Sequence, residues 1–230
     1  HFDKSLWKIV ENYPKEKFYC HNTAGKISKE YAAKYGFSEN LIVSVAQVDS
    51  HSGGVGAGCC HKKVAITLGT SAGAMVVVPK EQMQGVIVDG VFSQVLDSIL
   101  PDMIGFEVGL SAFGDIYGWF KGIISLPAKE ILGLEDDIYD SKILPYLNEK
   151  ASRIEPRLDA PIATDYLNGR RSPNPKDYIS AAIAGLKLGT KAEDMYYSLV
   201  EASAFAFRSI FNLLERYNIE IDEIVAIGGI

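Results

Sequence analysis

The chain has 230 residues, 47% of them hydrophobic, which is enough to bury one large core or two modest ones and makes a folded globular protein the expectation over a disordered one. A formal charge of −6 argues against a nucleic-acid or anionic-membrane surface, because both need clustered Lys and Arg. Three cysteines, Cys20, Cys59 and Cys60, form no disulfide framework and suit a reducing compartment, so the expected location is cytoplasmic.

Residues 28–36 place Tyr31, Ala32 and Tyr35 at helical spacing with Gly36 at the C-terminal cap. Leu41–Val48, LIVSVAQV, reads as a strand buried on both faces, which sets Asp49 at its carboxyl end. The GGVGAG that follows is neither a dinucleotide fingerprint, since its third glycine falls one residue early, nor a Walker loop, since no Gly-Lys-Ser/Thr occurs. Val64–Leu68 and Ala74–Val78 read as two strands of a hairpin joined by Gly69-Thr70-Ser71-Ala72-Gly73, and Val86–Val95 as a further strand.

Gly109–Ile124 carries apolar residues at helical spacing, and Gly114 and Gly118 within it suggest the close approach of another backbone or a ligand. Residues 130–150 read as solvent-facing helix and loop, 163–175 as an ordered surface loop and 177–188 as a short helix. Thr190-Lys-Ala-Glu193 is a capping-box pattern opening a helix to Tyr217 with Leu199, Ala206, Ile210 and Leu214 along one stripe, and 223–227 closes as a buried strand. Strands flanking long helices favour a mixed α/β layer fold. No run long enough to span a membrane and no signal peptide is visible, and the ends, without Met at the start and with AIGGI at the finish, suggest part of a longer protein.

Each candidate site residue has two readings. Asp49 is a helix cap or a general base taking a proton from a hydroxyl. Gly69-Thr70-Ser71 is a plain turn or an anion cradle built from backbone N–H groups and hydroxyls. Glu107 is a helix-start carboxylate or a receptor for polyol hydroxyls, and Arg170 and Arg171 bind phosphate or tie down their own loop. His51 reads as a polar wall of a cleft. The Cys-His pairs lack zinc spacing, so no metal site is expected, and the three cysteines read as small buried hydrophobes.

Taken in order, AQVDSHSGGVGAG, ITLGTSAGAMVV, GFEVGLSAFGDIYGWF and DYLNGRRSP, then the long helix and VAIGGI, resemble the FGGY carbohydrate kinases from about Ala24 onward. The third stretch points to the ribulokinase branch. The resemblance implies an actin-like ATPase, ribonuclease H-like fold with a mixed sheet flanked by helices. Residues 1–23 would be a leading segment and 24–230 the C-terminal kinase domain, truncated at its end, with the N-terminal domain as the absent partner. The implied activity is ATP- and Mg2+-dependent phosphorylation of the terminal hydroxyl of a ketopentose, with L-ribulose the expected substrate. The fragment alone would be inactive, and a homodimer is an allowed assembly. Asp49 is implied as catalytic base and sugar contact, Glu107 as a second sugar contact, Gly69, Thr70 and Ser71 as phosphate loop, and Gly114, Gly228 and Gly229 as nucleotide neighbours. The alternative left open is a non-catalytic actin-like module that binds a sugar or nucleotide.

Overall fold

The computed structural model describes residues 3–13, 16, 18–19, 21–133 and 136–229. The chain divides into two compact units, one ending at Val48 and the other beginning at Asp49. The first holds a 3-10 turn (Lys4–Leu6), α1 (Trp7–Glu11), β1 (Thr23–Lys26), α2 (Lys29–Tyr35) and β2 (Ile42–Ser44), with β1 and β2 antiparallel. Helix α2 follows the sequence pattern: the Ser28 hydroxyl accepts from the Tyr31 N–H, and Gly36 closes the helix in the left-handed conformation.

The expected buried strand at Leu41–Val48 is not formed. Only Ile42–Ser44 is extended, and Ile42 is 63% exposed. A two-stranded ribbon has no second layer to cover its apolar side chains, so hydrophobicity alone does not bury them. Asp49 accordingly opens a helix instead of ending a strand.

The second unit contains α3 (Asp49–Gly56), β3 (Lys63–Leu68), β4 (Ala72–Pro79), β5 (Ser93–Leu96), β6 (Met103–Leu110), α4 (Gly114–Leu132), α5 (Asp136–Ala151), the short pair β7 (Ile162–Ala163) and β8 (Ile183–Ala184), α6 (Ala192–Glu215) and β9 (Glu223–Gly228). Five strands form one mixed sheet in the order β5-β6-β4-β3-β9, in which only β9 runs parallel to its neighbour. The β3–β4 hairpin falls where the sequence puts it.

The sheet separates its side chains by alternation. Phe106, Val108 and Leu110 of β6, Ala74, Val76 and Val78 of β4, and Val64 and Ile66 of β3 meet Phe207, Ile210 and Leu214 of α6 in one core. Complete burial of each large apolar side chain contributes about 1.5–3 kcal/mol. Ala65, Met75 and Val77 point to the opposite face, with Cys59 and Ile99. There α3 lies close enough to the sheet that a Cβ on Gly54 would come within 3.0 Å of Met75 Cγ. Glycine at 54 thus serves helix-to-sheet contact rather than a phosphate turn. The first half of α6 packs with α4 and α5 through Ile116, Phe120, Leu147, Tyr196 and Leu199.

Several sequence expectations change. β6, which carries Glu107, is a strand where the sequence suggests the approach to a helix: G-F-E-V-G-L alternates with period two, and α4 begins only at Gly114. Among the described residues, a Cβ on Gly118 would meet nothing within 4 Å, so the expected close approach is not seen there. Of Val86–Val95 only the end is strand, because the Gln94 amide clips the preceding loop, accepting from Val88 N–H and donating to Val86 O. Residues 177–188 form no helix: Thr164 accepts from Ala182 N–H through its side chain and donates to Ala182 O from its backbone, drawing the segment into the β7–β8 ribbon. The α6 cap lies one residue later than expected, with Asp194 accepting from Lys191 N–H while the Thr190 hydroxyl accepts from Lys187 N–H. β9 is an edge strand, with Ile224 49% exposed, not a buried one. Cys59 is buried as expected and donates to Met75 O, Cys60 is exposed, and Cys20 lies outside the described residues.

Candidate functional site at the end of the sheet

Which end of the sheet α3 points to follows from its contacts. Gly53 faces Ile227, which is paired with Thr67, while Gly54 faces Met75 and Ala65, Cys59 bonds to Met75 O opposite Ala65, and Cys60 bridges to Lys63. Helix α3 therefore runs antiparallel to β3. Its first residue, Asp49, lies toward the Leu68 end, where the Gly69-Thr70-Ser71 turn and Gly228 also lie, since Leu68 pairs with both Ala72 and Gly228.

Asp49 is exposed, and its Oδ1 accepts from the Ser50 N–H at 2.7 Å. That contact engages one carboxylate oxygen at the helix start. Both sequence readings of Asp49 are therefore compatible with one side chain.

The Gly69-Thr70-Ser71 turn is held from below. Gly69 O accepts from the Gly114 N–H, and Thr70 O accepts from the N–H groups of Phe113 and Asp115. The first N–H groups of α4, which a helix leaves unsatisfied, are thus taken by the turn's carbonyls. Gly114 is a support of the turn, and the turn's hydroxyls are left for other partners: Thr70 is exposed and Ser71 half-buried. Just before them, Thr67 Oγ1 is buried without a partner among the described residues. The sequence reading missed Thr67, although its place directly before Leu68-Gly69-Thr70 was a usable signal. Gly228, with φ +135°, lies so close to Leu68 O that no side chain fits there, whereas Gly229 has open space around it.

On the same face as α3, Glu107 projects from β6 opposite Met75 and Ser93. Its Oε1 pairs with the Arg171 guanidinium, which itself stacks over the Phe92 ring with 4.4 Å from Cζ to the centroid. Its Oε2 stands 3.7 Å from His51 Nε2. His51 is buried and donates through Nδ1 to the Ser98 carbonyl at 2.9 Å. Glu107 is therefore not at a helix start. Arg171 holds Glu107, while Arg170 donates to Asn174 O and ties its own loop.

Next to these groups a cavity of about 530 Å³ is lined by Ser71, Phe92, Ser111, Arg170, Arg171 and Lys176. A second cavity, about 610 Å³, lies among Arg153, Arg157, Lys191 and Asp194, but its Arg157 and Asp194 pair with each other at 2.9 Å. The strand-end cavity sets the hydroxyls of Ser71 and Ser111 beside Arg170, Lys176 and the carboxylate of Asp177, a mixed polar lining that suits a polyhydroxylated ligand. One further carboxyl in the neighbouring loop is buried: burial pushes the Asp165 pKa up to about 6, against the opposing influence of its own backbone hydrogen bond and of Arg170.

Residues 64–230 match the FGGY family of carbohydrate kinases, C-terminal domain. The chain is 31% identical to a ribulokinase of Vibrio parahaemolyticus, with 94% of this chain and 39% of that protein covered. It is also 31% identical to a ribulokinase of Halalkalibacterium halodurans, with 99% and 43% covered. The chain thus spans about two fifths of the length of the curated relatives it matches. Among solved structures, the xylulose kinase of Rhodospirillum rubrum superposes with a TM-score of 0.73 at 19% identity, covering 97% of this chain and 42% of that one. The glycerol kinase of Plasmodium falciparum with ADP gives 0.65 at 17%, covering 100% and 43%. Together with the mixed sheet flanked by helices, these likenesses identify the actin-like fold of the sugar kinases. The chain belongs to the FGGY family of carbohydrate kinases and carries its C-terminal domain.

Proposed function

We propose that the intact protein phosphorylates the terminal hydroxyl of a ketopentose, with L-ribulose as the preferred acceptor, using ATP. The observation that carries the proposal is that Asp49, the Gly69-Thr70-Ser71 turn and Glu107 belong to one sheet and the helix packed on it, although the sequence separates Asp49 from Glu107 by a hairpin and a further strand. The ribulokinase relatives support the choice of acceptor. The domain from residue 24, the leading 1–23 segment and an opposing domain outside this chain belong to the same reading, as does the inactivity of the chain by itself. So does the exclusion of nucleic acid and membrane as partners. Among the described residues no helix is long and apolar enough to cross a membrane.

In this mechanism the second oxygen of Asp49 accepts the proton of the acceptor hydroxyl as that hydroxyl's oxygen attacks phosphorus. Glu107, held by Arg171, accepts hydrogen bonds from other sugar hydroxyls and fixes the acceptor's orientation. The phosphate end is handled by hydroxyls. Thr70 and Ser71 sit on the open turn, and the Thr67 Oγ1 behind them is a buried donor without an acceptor among the described residues, which fits an anion. ATP, when bound, supplies the phosphoryl group and leaves as ADP, with Gly114, Gly228 and Gly229 bordering it. Phosphoryl transfer depends mainly on positioning and charge stabilisation, so this small set suffices on its side of the cleft. Among the described residues no group of three or more His, Cys, Asp or Glu stands together as for a metal ion.

The test is Asp49→Asn in the full-length protein, followed by ADP release across a panel of pentuloses. A fall in kcat of about 10²-fold or more is expected for loss of a general base. A kcat within about threefold of wild type would remove Asp49 from that role. Wild-type protein that releases no ADP with any pentulose would fit the sugar- or nucleotide-binding module instead.

A further inference from the structure

Among the polar groups that the proposed mechanism does not use, His51 is the most constrained. It is 9% exposed, and the ring is fixed at one end because the Ser98 carbonyl can only accept, which places a proton on Nδ1. The other nitrogen, Nε2, is buried and has no hydrogen-bond partner among the described residues. Leaving such a group unmatched is costly, by an amount comparable to a lost hydrogen bond. The polar atom it faces is Glu107 Oε2 at 3.7 Å, slightly beyond hydrogen-bond reach. The other oxygen, Oε1, is already taken by Arg171.

We infer that His51 is a positioning residue for Glu107, acting with Arg171 so that the carboxylate is held by both oxygens when sugar is bound. Because Nε2 is inaccessible, His51 does not touch the ligand; it acts through Glu107. Nδ1 keeps its proton for the Ser98 carbonyl, so only the doubly protonated ring can donate from Nε2 to Oε2, and the two groups then need to close by less than about an ångström, the gap between their present separation and a normal hydrogen bond. The carboxylate plane is then set by His51 from α3 and by Arg171 from the loop after Leu167. The remaining lone pair on each oxygen is presented to the acceptor's hydroxyls in a fixed direction. Asp49 and His51 lie on the same short helix, so this arrangement also couples the orientation of Glu107 to the placement of the proposed base.

This inference rests on Glu107 being a sugar contact, and its test separates the two ideas. In the full-length protein, His51→Asn puts an amide nitrogen where Nδ1 was, keeping the Ser98 contact and deleting Nε2. His51→Gln instead puts a donor near the Nε2 position. His51→Asn is expected to raise the ketose KM about tenfold, with the ATP KM and kcat changed by less than about twofold. His51→Gln is expected to recover most of that loss, and melting of both variants reports whether they fold. An active enzyme whose ketose KM is unmoved by His51→Asn, or whose two variants are impaired alike, overturns the positioning role alone. A role confined to packing would lower the melting temperature and leave the two KM values in their wild-type ratio, and that outcome overturns it as well. A full-length protein that phosphorylates no pentulose overturns both this inference and the reading beneath it.

Discussion

The two faces of the five-stranded sheet are made by the same strands and do opposite things. In β6, the even-numbered residues Phe106, Val108 and Leu110 enter a wholly apolar core against α6, while the odd-numbered Glu107, one step away, enters a polar network with Arg171 and faces His51. In β3, Val64 and Ile66 belong to the first face and Thr67, with its orphaned hydroxyl, to the second. The α6 face satisfies itself. The α3 face leaves His51 Nε2 and Thr67 Oγ1 without partners among the described residues, and each such buried group calls for a functional or structural reason, of which a ligand is one. Alternation thus lets one sheet keep the α6 face apolar while the other face sets polar groups beside the smaller core of Ala65, Met75 and Val77.

The contrast is broken most forcefully from the sealed side. Phe106→Ala removes a fully buried ring from the centre of the α6 core and is expected to cost about 3–5 kcal/mol, read as a lower midpoint of denaturant unfolding. At temperatures where the variant stays folded, its ketose KM should remain near wild type. A large KM change with little loss of stability would show that the two faces are not independent.

Asp165 sharpens the same point, since its carboxyl is buried in the loop that follows β7 and burial, not a charged partner, dominates its behaviour. Its folded pKa, about 6, lies above the ordinary value of 3.8, so between these values the folded protein binds more protons than the unfolded chain. Stability due to Asp165 is therefore greatest below about pH 4 and is lost as pH rises through 6, by up to about 3 kcal/mol. Asp165→Asn should flatten the dependence of the unfolding free energy on pH across that window. An unchanged slope would mean that the carboxyl is ionised at little cost in the fold.

The smallest expected effect on stability comes from the open side. Gly54→Ala improves helix propensity by about 1 kcal/mol but sets a Cβ against Met75, so the two contributions nearly cancel. What changes is the seating of α3, which carries both Asp49 and His51. A fall in kcat/KM with a nearly constant melting temperature is expected. Activity and melting both at wild-type values would show that α3 tolerates the displacement.

Much of the architecture was legible because local periodicity and turn chemistry are properties of short stretches. The cap-to-cap span of α2, the β3–β4 hairpin and the apolar stripe Leu199, Ile210, Leu214 of α6 follow from residues within a few positions of one another. The order of the motifs also carried the family, which the match over 64–230 bears out. Segments whose conformation depends on a distant partner read differently from what they form. LIVSVAQV has the composition of a buried strand, but burial needs a covering layer that β1 does not provide. Residues 177–188 carry a helical pattern, yet hydrogen bonds to Thr164 draw them into a ribbon.

The sequence by itself determined the inventory of chemistry: one carboxylate before a glycine-rich stretch, a Gly-Thr-Ser turn, Glu107, and the paired arginines 170 and 171. Only the tertiary structure decided how they combine. It converted the glycine-rich stretch into a helix pressed on the sheet, turned the carbonyls of Gly69 and Thr70 toward α4, and drew Arg171 across 64 residues of chain to Glu107. The physical reason is that caps, turns and alternation are set by neighbours in sequence, whereas ion pairs and orphaned buried groups are set by which surfaces the sheet brings together.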